Sequence, residues 1–266
     1  MFELDFMRNA FAAGIVVSIL CPIVGLFIVL RRNSMIGDTL SHSSFAGVAI
    51  GLVFGYNPIL TAFIFTTICA IIIEFLRGYF KKYAELVMSI VLTFSLGIAI
   101  ILISTGKATT KVNSILFGSI LTVSKSDLLL ISIAGLITLL ILAFIYNKLI
   151  YTTFDEQGAQ TAGINVKLIN YIFTVLVGAT ISLSIKIMGI LVISSIIVVP
   201  VATAMQLKVN FRKTLISSVI FGLIDILLGL VLAYYLDSAA GGTIAITSVT
   251  VLLITLIISR FKIGDA

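Results

Sequence analysis

The chain has one histidine, two cysteines and three prolines, and only 11% of its 266 residues are charged. Each scarcity removes a class of protein. So few charges cannot clothe a water-soluble surface. With 60% hydrophobic residues, a mean hydropathy of +1.26 and recurring long apolar runs, a length that would suit one or two soluble domains belongs to a membrane protein. A lone histidine, His42, cannot be built with scattered serines into a Ser–His–Asp arrangement. Cys21 and Cys69 both fall inside apolar runs and read as small buried hydrophobes, not as a disulfide framework or thiolate ligands. Gly106-Lys107-Ala108-Thr109 is like the end of a phosphate loop but lacks the upstream glycine. The chain therefore reads as a non-enzyme, and any ATP-driven step needs another polypeptide. The acidic start, Met1-Phe2-Glu3-Leu4-Asp5, with no small-residue cleavage site after the first apolar run, leads us to expect no cleavable signal peptide. The net charge of +6 fits basic loops beside a lipid bilayer and calls for no nucleic-acid partner.

The apolar runs predict an all-α, polytopic protein forming a single transmembrane domain over residues 1–266. Helices are expected at about 10–30, 35–56, 58–79, 84–104, 126–146, 167–186, 188–207, 213–236 and 242–260. Each is roughly twenty residues, enough for a ~30 Å hydrocarbon layer at ~1.5 Å per residue. Nine spans is the reading; eight is the alternative, because Lys186-Ile187-Met188-Gly189 leaves a very tight hinge. With the N-terminus outside, twelve basic residues share one side: Arg31, Arg32, Arg77, Lys81, Lys82, Lys148, Lys167, Lys208, Arg212, Lys213, Arg260 and Lys262. Five share the other: Arg8, Lys107, Lys111, Lys125 and Lys186. The richer side is expected to be cytoplasmic, and the C-terminus with it. Pro22 and Pro200 predict kinks inside helices, and Asn57-Pro58 a turn.

Two loops are long enough to have structure of their own. In the outer one, about 105–125, Ile115 to Leu121 suits a surface or re-entrant helix. In the inner one, within about 151–166, Thr153 or Asp155 is expected to cap a short helix that Gly163 ends. An exposed helix of that kind suits a docking surface. Glu74 and Lys186, near helix ends, are expected to snorkel.

The chemistry concentrates in Asp38-Thr39-Leu40-Ser41-His42. Asp38 and His42 are four residues apart, so a helix places them on one face. Counted from Arg32, they lie about 9 and about 15 Å along the chain's path into the membrane. Ionisable groups there are costly and point to function. Carboxylate oxygen with imidazole nitrogen suits zinc, manganese or ferrous iron, and two ligands make a weak site from which an ion can leave. Two copies about a two-fold axis would supply four ligands. The alternative is an Asp–His hydrogen bond. Ser41, Ser43, Ser44, Gly47 and Gly51 permit close helix approach or a narrow pore lining. Asp225, the other deep acid, is an accessory ligand, a proton site or a hydrogen-bonded structural group, the last being the leading reading.

The run from Asp38 to Gly51 resembles the glycine–aspartate–x–leucine–serine–histidine signature of the membrane permeases of ABC importers for manganese, zinc and iron. The resemblance continues through Leu116 to Ser124, Phe154-Asp155-Glu156 to Gly163-Ile164, Gly189 to Val192, Pro200 to Ala204, and Asp237 to Ile244. It covers nearly the whole chain in order. It implies the fold shared with cobalamin and siderophore importers and a homodimeric permease in a bacterial plasma membrane. Two cytoplasmic ATPases would drive it, and an extracellular metal-binding lipoprotein or periplasmic protein would feed it. It assigns Asp38 and His42 to the metal path, and Phe154, Asp155, Glu156, Ala159 and Gly163 to a coupling helix against the ATPase. Small residues at Gly158, Ala159 and Ala162 would let that helix seat closely. Thr39 after the aspartate and Ala46 before Gly47 look more like the zinc branch, and zinc accepts few ligands, nitrogen included. No cofactor is held permanently; the divalent metal is cargo. The competing reading is an ion- or proton-coupled secondary metal carrier titrating Asp38 and Asp225, which inverted repeats would favour. A metal-dependent intramembrane hydrolase lacks a second acid near the pair.

Overall fold

The structure is a computed structural model that describes residues 5–80, 83–105, 115–118 and 123–264. Among these residues there is no strand. The helices are α1 (Asp5–Leu30), α2 (Met35–Phe54), α3 (Pro58–Tyr79), α4 (Ala84–Ser104), α5 (Lys125–Phe154), α6 (Glu156–Thr161), α7 (Val166–Met188), α8 (Ile193–Met205), α9 (Phe211–Tyr235) and α10 (Ala240–Gly264). Each of the nine expected segments contains a helix. Seven described helices (α1, α3, α4, α5, α7, α9 and α10) are long and apolar enough to cross a membrane. Several of them leave large apolar side chains such as Phe94, Phe144 and Ile246 exposed, as lipid-facing helices do. α1 and α7 are mostly buried instead.

Two expected spans differ. α2 has the length, but its polar start keeps it out of that apolar class. α8 has 13 residues, about 20 Å, where some twenty residues were expected over 188–207. The chain leaves the helix at Gly189, whose φ is +75°, and re-enters it only at Ile193. The amides this frees are not wasted: Ile190 and Leu191 N–H donate to the carbonyls of Ile115 and Leu116 at 3.2 and 3.3 Å. Amides released from a helix within an apolar protein need partners of this kind. Three glycines make that approach feasible. A Cβ on Gly118 would sit 2.4 Å from the Ile187 carbonyl oxygen, one on Gly189 2.4 Å from Gly118 N, and one on Gly241 2.0 Å from the Met188 oxygen. Residues 115–117 do form a helical turn; the rest of the expected outer helix, 119–121, lies outside the described residues.

Contacts divide the chain into two compact units. One comprises Met1–Val29, Asn113–Ser132 and Ser184–Ala266. In it α8, α9 and α10 pack together. Pro22 in α1 removes an amide that would have bonded Ser18, and Gly222 of α9 packs on both the proline ring and that carbonyl. The start of α5 carries a capping box: the Asp127 amide donates to Ser124 Oγ at 3.2 Å, and the Ser124 amide to Asp127 Oδ2 at 2.9 Å. Lys186 does not snorkel but forms an ion pair with Asp127. The other unit comprises Leu30–Val112 and Ile133–Leu183, where α2 packs on α3 and α4.

Candidate metal site and the short helix α6

α2 follows a turn at residues 31–34, in which the Asn33 and Ser34 carbonyls accept from the amides of Ile36 and Gly37. Helix begins at Met35, so Asp38 lies in the first turn, about 4.5 Å along the axis, and His42 in the next, about 10.5 Å along. The first-turn position suits the carboxylate, since the amides of a helix start favour negative charge.

His42 Nε2 faces Asp38 Oδ1 at 3.7 Å, beyond hydrogen-bond reach. Asp38 is 56% exposed and His42 22%. The other ring nitrogen, Nδ1, is buried with no hydrogen-bond partner among the described residues. An unsatisfied buried nitrogen costs ~1–3 kcal/mol, a cost that no described residue offsets. Neighbouring hydroxyls are otherwise engaged. Ser41 Oγ donates to the Gly37 carbonyl at 2.6 Å, Ser43 Oγ to the Thr39 carbonyl at 2.9 Å, and Ser44 Oγ to Ser182 Oγ of α7 at 3.2 Å. Ser43 and Ser95 of α4 also share a 2.9 Å bond. A Cβ on Gly47 would lie 2.6 Å from Ala62 Cα, and one on Gly51 2.3 Å from Thr61 Oγ1. The small residues of α2 thus serve close packing on α3, α4 and α7. No third histidine, cysteine, aspartate or glutamate joins the pair among the described residues.

Asp225 sits in the other unit, fully buried, with Ser248 Oγ donating to its Oδ2 at 2.6 Å and no partner for Oδ1 among the described residues. Its bond joins α9 to α10. Both cysteines are free and buried: Cys21 Sγ lies 3.5 Å from Ser184 Oγ, and Cys69 Sγ 3.8 Å from Ser95 Oγ.

The expected short helix is present as α6. Asp155 is its cap, with extended backbone and Oδ1 accepting from the Gly158 amide at 2.8 Å. Thr153 is not the cap: α5 runs eight residues past its expected end at 146, to Phe154, and takes Thr153 with it. At the far end Gly163 has φ +79°; its amide donates to the Gln160 carbonyl and that of Ile164 to the Ala159 carbonyl, both at 3.0 Å. That pair of bonds is a Schellman closure, which glycine at the left-handed position favours. Phe154, Asp155, Glu156, Gln160 and Gly163 are exposed, whereas Ala159 is fully buried. Ala159 therefore seats α6 against its own chain, and the outward surface is formed by the others. Gly158 is crowded by the cap itself, since a Cβ there would meet Asp155 Oδ2 at 2.1 Å.

Residue-by-residue reading missed the polar cluster beside these elements. Arg31 counted only as a loop charge, and nothing in Arg31-Arg32 tells the two apart. Glu74 does not snorkel: its side chain is 7% exposed, pairs with Arg77 at 2.9 Å and accepts from Thr174 Oγ1 at 2.7 Å.

Comparison with known proteins places these features among relatives. A sequence profile described as the ABC 3 transport family matches residues 3–259. The chain is 46% identical to the "Probable metal transport system membrane protein" of Treponema pallidum (strain Nichols), over 100% of this chain and 99% of that one. It is 31% identical to the high-affinity zinc uptake system membrane protein ZnuB of Haemophilus influenzae, over 96% and 98% of the two. It is 30% identical to the manganese import system permease protein ScaB of Streptococcus gordonii, over 97% and 93%. Among solved structures, PsaBC from Streptococcus pneumoniae in complex with Fab aligns with a TM-score of 0.85 and 31% identity, over 95% of this chain and 91% of that one.

Proposed function

The chain belongs to the ABC 3 transport family, and from that premise we propose that it is the membrane permease of an ATP-driven importer for a divalent transition metal ion, zinc by preference. The observation that carries the reading is the Asp38–His42 pair: one face, one turn apart, with Oδ1 and Nε2 facing each other at 3.7 Å and not hydrogen-bonded. A cation held between Oδ1 and Nε2 would bridge that gap. One chain offers two ligands, so a homodimer with α2 near its axis completes a four-ligand site. Asp225 acts as a structural bond to Ser248. The exposed side of α6, carried by Phe154, Asp155, Glu156, Gln160 and Gly163, docks on a cytoplasmic ATPase subunit, and Ala159 holds α6 to the permease. The N-terminus lies outside and the C-terminus inside a bacterial plasma membrane, where a metal-binding protein delivers the ion.

Zinc is favoured because the ligand set is small and half nitrogen, whereas manganese asks for more oxygens. Identity to the zinc and manganese relatives is nearly equal and does not argue either way. Uptake into vesicles holding the reconstituted complex tests the reading. Zinc accumulation should require ATP on the ATPase side and exceed that of manganese. Accumulation driven by a proton gradient without ATP would sink it in favour of a secondary carrier.

A further inference from the structure

Arg31 occupies the turn between α1 and α2, seven residues before Asp38. Its guanidinium makes three hydrogen bonds, two to the end of α5 and one to α7. Nε donates to Thr153 Oγ1 at 2.9 Å, Nη2 to Thr152 Oγ1 at 2.8 Å, and Nη1 to Asn170 Oδ1 of α7 at 2.8 Å. The cation also lies 5.0 Å above the ring of Phe173. Thr152 and Thr153 end α5, and Asp155, the cap of α6, is two residues on. A second bond secures the same turn: Arg77 Nη2 donates to Asn33 Oδ1 at 2.7 Å, while Arg77 and Thr174 both hold Glu74. The turn itself is strained, with Arg32 at φ +55°. Two arginines thus clamp an unfavourable backbone immediately before the helix that carries Asp38 and His42.

Even half-burying a guanidinium is costly: desolvation brings the Arg31 pKa down to about 10, only partly opposed by Glu74 and Glu156. Packing alone would be served as well by an apolar side chain. What a planar, multiply bonded cation adds is a rigid link between elements distant in sequence.

We propose that Arg31 is the positioning residue that couples α6 to the metal pair, transmitting displacement of the α5–α6 junction through the 31–34 turn to Asp38 and His42. This rests on the proposed docking of α6 and the proposed cargo site on α2. Movement of α6 reaches Arg31 through Thr152 and Thr153, and Arg31 moves the start of α2 as a rigid body.

The test uses the complete reconstituted complex and three variants: Arg31→Ala, Arg31→Lys, and the double variant Thr152→Val/Thr153→Val, which keeps the cation but removes two acceptors. Zinc ions moved per ATP hydrolysed, equilibrium zinc affinity and ATPase binding are measured together. In Arg31→Ala, ions per ATP should fall at least about tenfold, with zinc affinity and ATPase binding within about twofold of the parent. Arg31→Lys should restore only part, because an ammonium cannot span the three acceptors. The double threonine variant should uncouple likewise, and it decides the matter if Arg31→Ala does not assemble. An unchanged ratio of ions to ATP overturns the proposal, as does loss of zinc affinity together with ATPase binding, which would make Arg31 part of the scaffold. Failure of the underlying reading looks different: the parent complex would then show no ATP-driven zinc uptake at all.

Discussion

A six-residue helix has no intrinsic stability, so α6 exists through its two ends, and removing them should melt it. Asp155→Ala deletes the bond from the Gly158 amide, a loss of about 1 kcal/mol for an N-cap. Gly163→Ala forces a side chain into φ +79°, about 1 kcal/mol of backbone strain; no atom lies within 4 Å of the new Cβ, so no packing term adds to it. The sites share no partner and should add to about 2 kcal/mol, about a thirtyfold shift toward the unfolded segment. Amide hydrogen exchange reads this directly. Protection at Ala159, Ala162 and Ile164, whose amides bond within the helix and its closure, should drop about thirtyfold in the double variant, with α5 and α7 unaffected. Asp155→Asn should retain protection, since asparagine caps as well as aspartate. If α6 docks on an ATPase, uptake and ATPase binding should fall in step with protection. Two results refute this chain of reasoning. Unchanged protection means the caps do not hold α6; lost protection with normal uptake means transport does not need it as a helix.

The remaining expectations concern the metal pair and the glycine crossing. Asp38→Ala and His42→Ala should each abolish uptake, and bound zinc measured on the purified permease should disappear, while the yield of folded permease in detergent stays near the parent's. A collapse of yield in both would return the pair to a structural role. If His42 ligates the ion as proposed, it does so only as neutral imidazole, so zinc affinity should weaken as the medium is acidified, and a flat profile would remove His42 from the site. Neighbouring glycines at the start of α10 should behave oppositely. Gly241→Ala places a Cβ 2.0 Å from the Met188 carbonyl oxygen and should cost about 1–3 kcal/mol or more, seen as a lowered melting temperature. Gly242→Ala meets nothing within 4 Å and should be neutral or stabilising by up to about 1 kcal/mol.

Local features were legible in the chain alone. Long apolar runs dictate helices because a backbone in lipid must satisfy itself, and every expected segment contains one. The i, i+4 spacing of Asp38 and His42 fixes their common face. Asp155 and Gly163 end α6 through bonds that reach no more than five residues. Tertiary structure decided the rest. α8 is short because the carbonyls of Ile115 and Leu116, some 75 residues earlier, stand ready to take the amides of Ile190 and Leu191. Ala159 turns inward although its neighbours suggest an outward face. Glu74 is held by Thr174, 100 residues away, and Arg31 by Thr153, 122 residues away. Arg31 and Arg32 are chemically identical and adjacent; one is half-buried among three acceptors, the other exposed with a strained backbone. Periodicity and capping act within a few residues, whereas burial and the choice of hydrogen-bond partner depend on chain segments that only folding brings together.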